Sequence, residues 1–121
     1  MISYIQRMHI SSDGFVEAHP GPLGGTVLEG DPELRIRIDF NTPQLTGGLF
    51  RQTSGKVRIV WPATEHSLVL EGEVNIVDDQ GRSVTFKPGD GFIIRKGDVV
   101  TWTVSTETFC KSFLFLNADQ E

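Results

Sequence analysis

The strongest constraint on the fold is a strict alternation of apolar and polar residues over residues 33–40. Every second side chain there is apolar, which gives one face made of Leu34, Ile36, Ile38 and Phe40. The residues between them, Arg35, Arg37 and Asp39, are all charged. A period of two over eight residues is that of a half-buried β-strand. Residues 33–40 are therefore predicted to form a strand with one face in the core.

Similar short segments follow along the chain, each bounded by clusters of Gly, Pro, Asp or Ser/Thr. They predict strands at residues 49–53, 56–61, 67–77, 82–86, 92–95, 99–104 and 109–116. None of these segments has a sustained helical period. Short strands at nearly regular spacing are typical of an all-β sandwich or barrel.

The domain organisation is simple. A length of 121 residues falls in the range of a single domain with its own core. Residues 1–28 are rich in Gly and Pro, which indicates an N-terminal arm with one or two short strands, around residues 2–10 and 26–29. Residues 29–116 are predicted to form the barrel, and residues 117–121 a polar tail.

Charge and cysteine content exclude several classes of function. The net charge is −5 and no basic run is present, so we expect no nucleic-acid partner. We expect no membrane partner either, since no apolar stretch approaches the length of a span. Cys110 is the only cysteine, so an intrachain disulfide is impossible and a cytoplasmic location is the expectation. Cys110 itself is predicted to be a small buried hydrophobe.

Residues 55–104 carry the spacing of a known double motif. Glu65 is followed by Leu68-Val-Leu-Glu-Gly72, and the turn Pro88-Gly-Asp90 precedes Lys96-Gly97. This pattern resembles the two motifs of cupins. Together with the later Thr101-Trp102 and Lys111, it makes the chain similar to the ureidoglycine aminohydrolase-like cupins, the branch that also includes ethanolamine-utilisation cupins. The resemblance implies an all-β, single-domain cupin: a double-stranded β-helix, or jelly-roll barrel, with one open mouth.

The chain departs from the cupin pattern at the metal ligands. The resemblance places the usual histidines at Ile59, Trp61 and Val100, so only Glu65 remains of four ligands. His66 is adjacent to Glu65, but neighbours on a strand point to opposite faces. A zinc site needs three or four converging donors. We therefore predict no metal and no other cofactor.

Glu65 is the first candidate site residue, and two interpretations of it stay open. In a mainly apolar cavity the carboxyl group is a candidate acid or base, or a partner for the amine or guanidinium of a ligand. Alternatively it is a relict of the metal site, held by Arg58, Lys111 or backbone amides, with no chemical role.

Trp61 and Trp102 are in phase with apolar neighbours, so both are expected to point inward. They either fill the barrel or form two walls that stack on a planar or cationic ligand. Lys111 shares its face with Phe109, Phe113 and Phe115. An inward lysine would need a partner, for which Glu65 is the obvious choice, whereas an outward one would simply reach solvent at the rim.

These residues predict a small-molecule binding module. Its ligand would be a small polar, amine- or ureido-type metabolite held by Glu65, Trp61, Trp102 and Lys111, with Ile59 and Val100 in the wall. Two alternatives stay open. One is an enzyme acting on a ureido- or amino-acid-like metabolite, with Glu65 as general acid/base and Lys111 stabilising negative charge. The other is a non-catalytic accessory subunit with a filled barrel.

A homodimer is also expected. The arm and the strand at residues 33–40 would otherwise leave an exposed sheet edge, which a partner subunit covers.

Overall fold

The computed structural model describes residues 2, 5–7, 10–21 and 25–117. Nine antiparallel strands are present in these ranges, which confirms the all-β prediction. They are β1 (Val16–Ala18), β2 (Gly25–Glu29), β3 (Leu34–Asn41), β4 (Leu45–Val60), β5 (Glu65–Glu71), β6 (Val74–Val77), β7 (Ser83–Phe86), β8 (Gly91–Ile94) and β9 (Val99–Leu116). No helix in the described part of the chain is long and apolar enough to cross a membrane.

Two long strands, β4 and β9, form the centre of the barrel. They pair along their whole length, from Leu45 opposite Leu116 to Val60 opposite Val99. One half of β4 also pairs with β3 and the other with β2, while β9 pairs with β5 and β6 in the same manner. Each long strand therefore has different neighbours at its two ends, and the strands surround one shared core cluster.

The prediction of two separate strands within each of β4 and β9 is wrong. A register shift between Thr53 and Gly55 bends the β4–β9 pair without ending it. The ring of Pro32 lies 2.8 Å from the position that a Cβ on Gly55 would occupy, so only glycine fits at the bend. An irregularity of this kind turns a strand while it stays paired, which the local sequence does not distinguish from a break.

The opposite error occurs at residues 67–77, where one predicted strand is two. Gly72 adopts a φ of 73° between β5 and β6. A side chain there would also overlap the carbonyl oxygen of Thr108. Both constraints require glycine, and the chain turns at this point.

The N-terminal arm differs in part from the expectation. Residues 2, 5–7 and 10 are outside any strand, and the other positions of the strand predicted at 2–10 lie outside the described residues. The first strand is β1, whereas β2 confirms the strand predicted at 26–29. Since β1 pairs with β3 from Leu34 to Ile36, the chain itself covers part of the edge from which a homodimer was expected.

The core has two parts. Inside the barrel a large cluster surrounds Trp102, of which 1% is exposed. On the outer face a small cluster of Leu49, Leu70 and Cys110 is covered by Ile10 and Phe15 of the arm. Cys110 is completely buried, as predicted. The arm therefore shields the only thiol, and the interior of the barrel holds the candidate site.

Candidate ligand-binding site inside the barrel

A cavity of about 330 Å³ lies inside the barrel. Its walls are mainly apolar and include Leu34, Ile36, Ile59, Trp61, Phe113 and Phe115. Pro62, Ala63 and Asn117, which follow β4 and β9, also contribute to the lining. Glu65 and Lys111 are the charged groups among the described lining residues. An apolar space with a few polar groups on one side is the usual form of a small-molecule site.

Glu65, Ser67 and Lys111 form a hydrogen-bonded cluster at this cavity. The Lys111 ammonium donates to Glu65 Oε2 and, at 3.1 Å, to Ser67 Oγ. The Ser67 hydroxyl donates to the same carboxylate oxygen at 2.8 Å. The side chains of Lys111 and Glu65 are only 5% and 13% exposed. The predicted inward pairing of Lys111 with Glu65 is confirmed, and the alternative of a lysine at the rim is wrong.

The strand register brings these three residues together. β5 and β9 are neighbours, with Ser67 opposite Phe113 and Val69 opposite Lys111. Glu65 and Ser67 are two residues apart, so their side chains point to the same face of β5. His66 points to the other face and is exposed, as predicted. His19 is exposed as well, and His9 lies outside the described residues.

An aromatic cage surrounds the Lys111 ammonium. Nζ lies 5.1 Å from the ring centroids of both Trp61 and Trp102, 5.4 Å from Phe50 and 5.7 Å from Phe92. All four distances are within the range of a cation–π interaction. The charge of Lys111 is therefore balanced by one carboxylate and by four ring faces. The space that a cationic ligand would need between Trp61 and Trp102 is filled by Lys111 itself.

The two tryptophans have different surroundings. Their ring centroids are 5.8 Å apart, and both rings contribute to the cavity wall. The Trp102 indole N–H donates to Gln52 Oε1 at 3.1 Å, which fixes this ring in the core. The Trp61 indole nitrogen is buried and has no hydrogen-bond partner in the described structure. Each ring therefore packs in the core and also borders the cavity, while stacking of a ligand on either ring stays a prediction.

Ile59 and Val100 were the other two predicted wall residues. They are directly opposite each other on β4 and β9. Ile59 is half-buried and lines the cavity. Val100 is 4% exposed and packs in the core cluster, and it is not among the residues that line the cavity. The structure therefore places five of the six predicted residues around one space and the sixth behind it.

The residues present do not fit the metal that cupins usually hold. Ile59, Trp61 and Val100 have no donor atom for a metal, and the Glu65 carboxylate is occupied by Lys111 and Ser67. A lysine ammonium beside this carboxylate would repel a cation. Among the described residues, no group of three or more His, Cys, Asp or Glu side chains converges on one point.

Sequence reasoning missed Ser67 and the cage residues Phe50 and Phe92. Ser67 had a usable signal, because its spacing of two from Glu65 on a strand places both side chains on one face. Phe50 and Phe92 had none, since they lie on β4 and β8, strands that are distant in sequence and are not paired with each other. Gln52 was missed as well.

Barrel topology and the site together define a small single-domain cupin. Residues 43–113 match the family model of the EutQ-like cupin domain, and the chain therefore belongs to the EutQ-like cupin family. The jelly-roll cupin fold expected from the resemblance is confirmed. No curated protein matches the sequence.

Three solved structures show how far the similarity extends. The EutQ protein of Clostridium difficile has a TM-score of 0.65 and 21% identity, over 73% of this chain and 71% of that one. A protein of unknown function from Rhizobium leguminosarum has a TM-score of 0.62 and 23% identity, over 68% and 79%. A DUF861-family protein of unknown function from Pseudomonas syringae has a TM-score of 0.72 and 19% identity, over 92% of this chain but 46% of that one. Identities this low show a shared fold alone.

Proposed function

We propose that the protein binds a small molecule in the barrel cavity, beside the Glu65–Lys111 pair and without a histidine-based metal site. The cavity itself supports this most strongly. Protein interiors are close-packed, and a barrel that served only as a scaffold would be filled by its side chains. A space of about 330 Å³ with a buried ion pair in its wall is within the range of ligand pockets.

The lining favours a ligand with an apolar body and one polar group. Phe113, Phe115 and Ile36 provide apolar contact area, and the polar group would lie near Lys111 and Glu65. A carbonyl or hydroxyl group suits this position, because it can bond to the cluster without adding a second cation. An amine suits it less well, since Lys111 already occupies the aromatic cage. A ureido group offers the required carbonyl oxygen.

The buried cluster also supports a second candidate function, an enzyme acting on a ureido- or amino-acid-like metabolite, as the resemblance to ureidoglycine aminohydrolase-like cupins implies. Glu65 and Ser67 are hydrogen-bonded to each other and to an ammonium, so protons can move between them and a bound substrate. In this role Glu65→Gln would abolish turnover of such a substrate while the protein still binds it.

A thermal-shift panel tests binding. Neutral, cationic and anionic compounds of similar size are compared, and a ligand at 100 times its dissociation constant should stabilise the protein by about 2.7 kcal/mol. Ala63→Trp, which places an indole in the cavity lining, should abolish the shift. Val60→Trp is the matched control, because Val60 is exposed on the outside of β4 and should leave binding unchanged. Binding that survives Ala63→Trp would contradict the proposal.

The homodimer and the cytoplasmic location stay predictions. Sedimentation equilibrium of the purified protein would determine the oligomeric state, with twice the chain mass as the expected result.

A further inference from the structure

Lys111 differs from the other lysines in where its amine lies. The sequence has four lysines, all within the described ranges. Lys87 and Lys96 are exposed and Lys56 is half-buried on β4, whereas the Lys111 side chain is 5% exposed and lines the cavity. Of these four amines, Lys111 is the one that a molecule inside the barrel would meet. Glu65 and the aromatic cage favour its ammonium form, so the amine becomes a nucleophile once a base has taken its proton. A lysine amine in an apolar pocket is a group that enzymes use against carbonyl compounds.

We propose that Lys111 forms a reversible imine with the aldehyde or ketone group of a small apolar ligand. This proposal rests on the proposed function, because the carbonyl compound must first enter the cavity. It goes beyond binding by assigning a covalent step and an electrophilic ligand class.

The step balances with the residues present. Glu65 takes one proton from the Lys111 ammonium, and the free amine adds to the carbonyl carbon. The nitrogen then transfers a proton to the new alkoxide. The Ser67 hydroxyl, which lies within hydrogen-bond distance of Nζ, relays this proton. Glu65 returns its proton to the resulting hydroxyl, which leaves as water while the C=N bond forms. The sum is ammonium plus carbonyl giving protonated imine plus water, with Glu65 again a carboxylate.

The surroundings of Lys111 suit this product as well as the starting ammonium. A protonated imine is a cation with one N–H, and it can keep its hydrogen bond to Glu65. The aromatic cage would stabilise its charge as it stabilises the ammonium. An ion pair that served the fold alone would need no cavity beside it, whereas here about 330 Å³ of mainly apolar space adjoins the amine.

Reductive trapping tests the inference. The full-length protein is incubated with benzaldehyde and sodium cyanoborohydride, which converts an imine into a stable benzylamine, and the modified lysines are identified by peptide mass mapping. We expect Lys111 to be labelled at least about tenfold faster than Lys56, Lys87 or Lys96. Lys111→Arg keeps the positive charge and cannot form an imine, so its labelling should fall to the surface background. Glu65→Gln should slow labelling of Lys111.

A second measurement separates this inference from the proposed function. Benzyl alcohol has the same ring as benzaldehyde but no carbonyl carbon, and its binding is measured by thermal shift. It should stabilise the protein and protect Lys111 from trapping. If benzyl alcohol binds and Lys111 is labelled no faster than the surface lysines, the imine is wrong and the binding site stands. If neither benzaldehyde nor benzyl alcohol binds while other members of the panel do, imine formation at Lys111 is also overturned and the binding site stands.

Discussion

Replacing Lys111 by methionine is expected to destabilise the protein by about 3 kcal/mol. Methionine keeps most of the aliphatic stem, so the main change is the loss of the ammonium. Glu65, 13% exposed, would then be a buried carboxylate with the Ser67 hydroxyl as its remaining hydrogen-bond partner in the cluster. A buried charge that loses its partner costs several times more than an exposed one. The cation–π contacts with the four rings of the cage are lost as well.

Urea unfolding measures this loss of stability from the shift in the urea concentration at the unfolding midpoint, provided that the m-value stays constant. A double-mutant cycle with Glu65→Gln isolates the pair: the double variant should be more stable than the sum of the single changes predicts, by at least about 1 kcal/mol. Lys56→Met is the matched control, because Lys56 Nζ lies 3.8 Å from Oε1 of Glu29, whose side chain is 72% exposed. Loss of this exposed pair should lower the free energy of unfolding by about 0.5 kcal/mol or less. Equal effects of Lys111→Met and Lys56→Met, or additive effects in the cycle, would refute the buried coupling.

Three further outcomes follow from other parts of the fold. Phe15→Ala should speed the reaction of Cys110 with a thiol reagent, because it exposes the small outer cluster. Val16→Ala is the control, since Val16 is 61% exposed and its loss should not change the rate. Equal rates in the two variants would show that the arm does not protect the thiol. Gly48→Ala should destabilise the protein by about 1–3 kcal/mol, because the new Cβ would overlap the carbonyl oxygen of Arg37. In Gly21→Ala, the control, the new Cβ has no atom within 4 Å, so the free energy of unfolding in urea should hardly change. Burial raises the pKa of the Cys110 thiol above its ordinary value of 9.0. Above about pH 9 the folded protein therefore keeps this proton while the unfolded chain loses it, so the free energy of unfolding should fall as pH rises. The fall should be steeper than in Cys110→Ala, and parallel pH profiles of the two proteins would contradict this.

The sequence was sufficient for the fold class because the strand signals are local. The alternation at residues 33–40 depends on neighbours along the chain alone, and β3 is found there. The prediction that its whole apolar face lies in the core is wrong, because the register shifts between Ile38 and Phe40 and these two side chains are 47% and 45% exposed. The turn at Pro88-Gly-Asp90 was also readable from its residue types, and there the Asp90 side chain accepts a hydrogen bond from the Lys87 amide at 2.9 Å. Glu65 was identified as the partner that an inward Lys111 would need, but the sequence left the choice between an inward and an outward lysine open, and the structure decides it.

Features that depend on register were not accessible from the sequence. The bend at Gly55 requires knowledge that Pro32 packs against it, and the two residues are far apart along the chain. The cage around Lys111 combines rings from β4, β8 and β9 with Trp61, and their convergence follows from closure of the barrel. The size of the cavity is likewise a property of packing, so the choice between a filled and an open barrel could not be made from residue types.

The most direct test of the central claim is an NMR titration of the two indole N–H signals. The chain has only Trp61 and Trp102, and both rings line the cavity. Benzyl alcohol should shift both signals in a saturable way in the wild-type protein, and Ala63→Trp should abolish the shifts of these two signals. Signals that stay unmoved with benzyl alcohol and with every other compound of the panel would mean that the barrel holds no ligand.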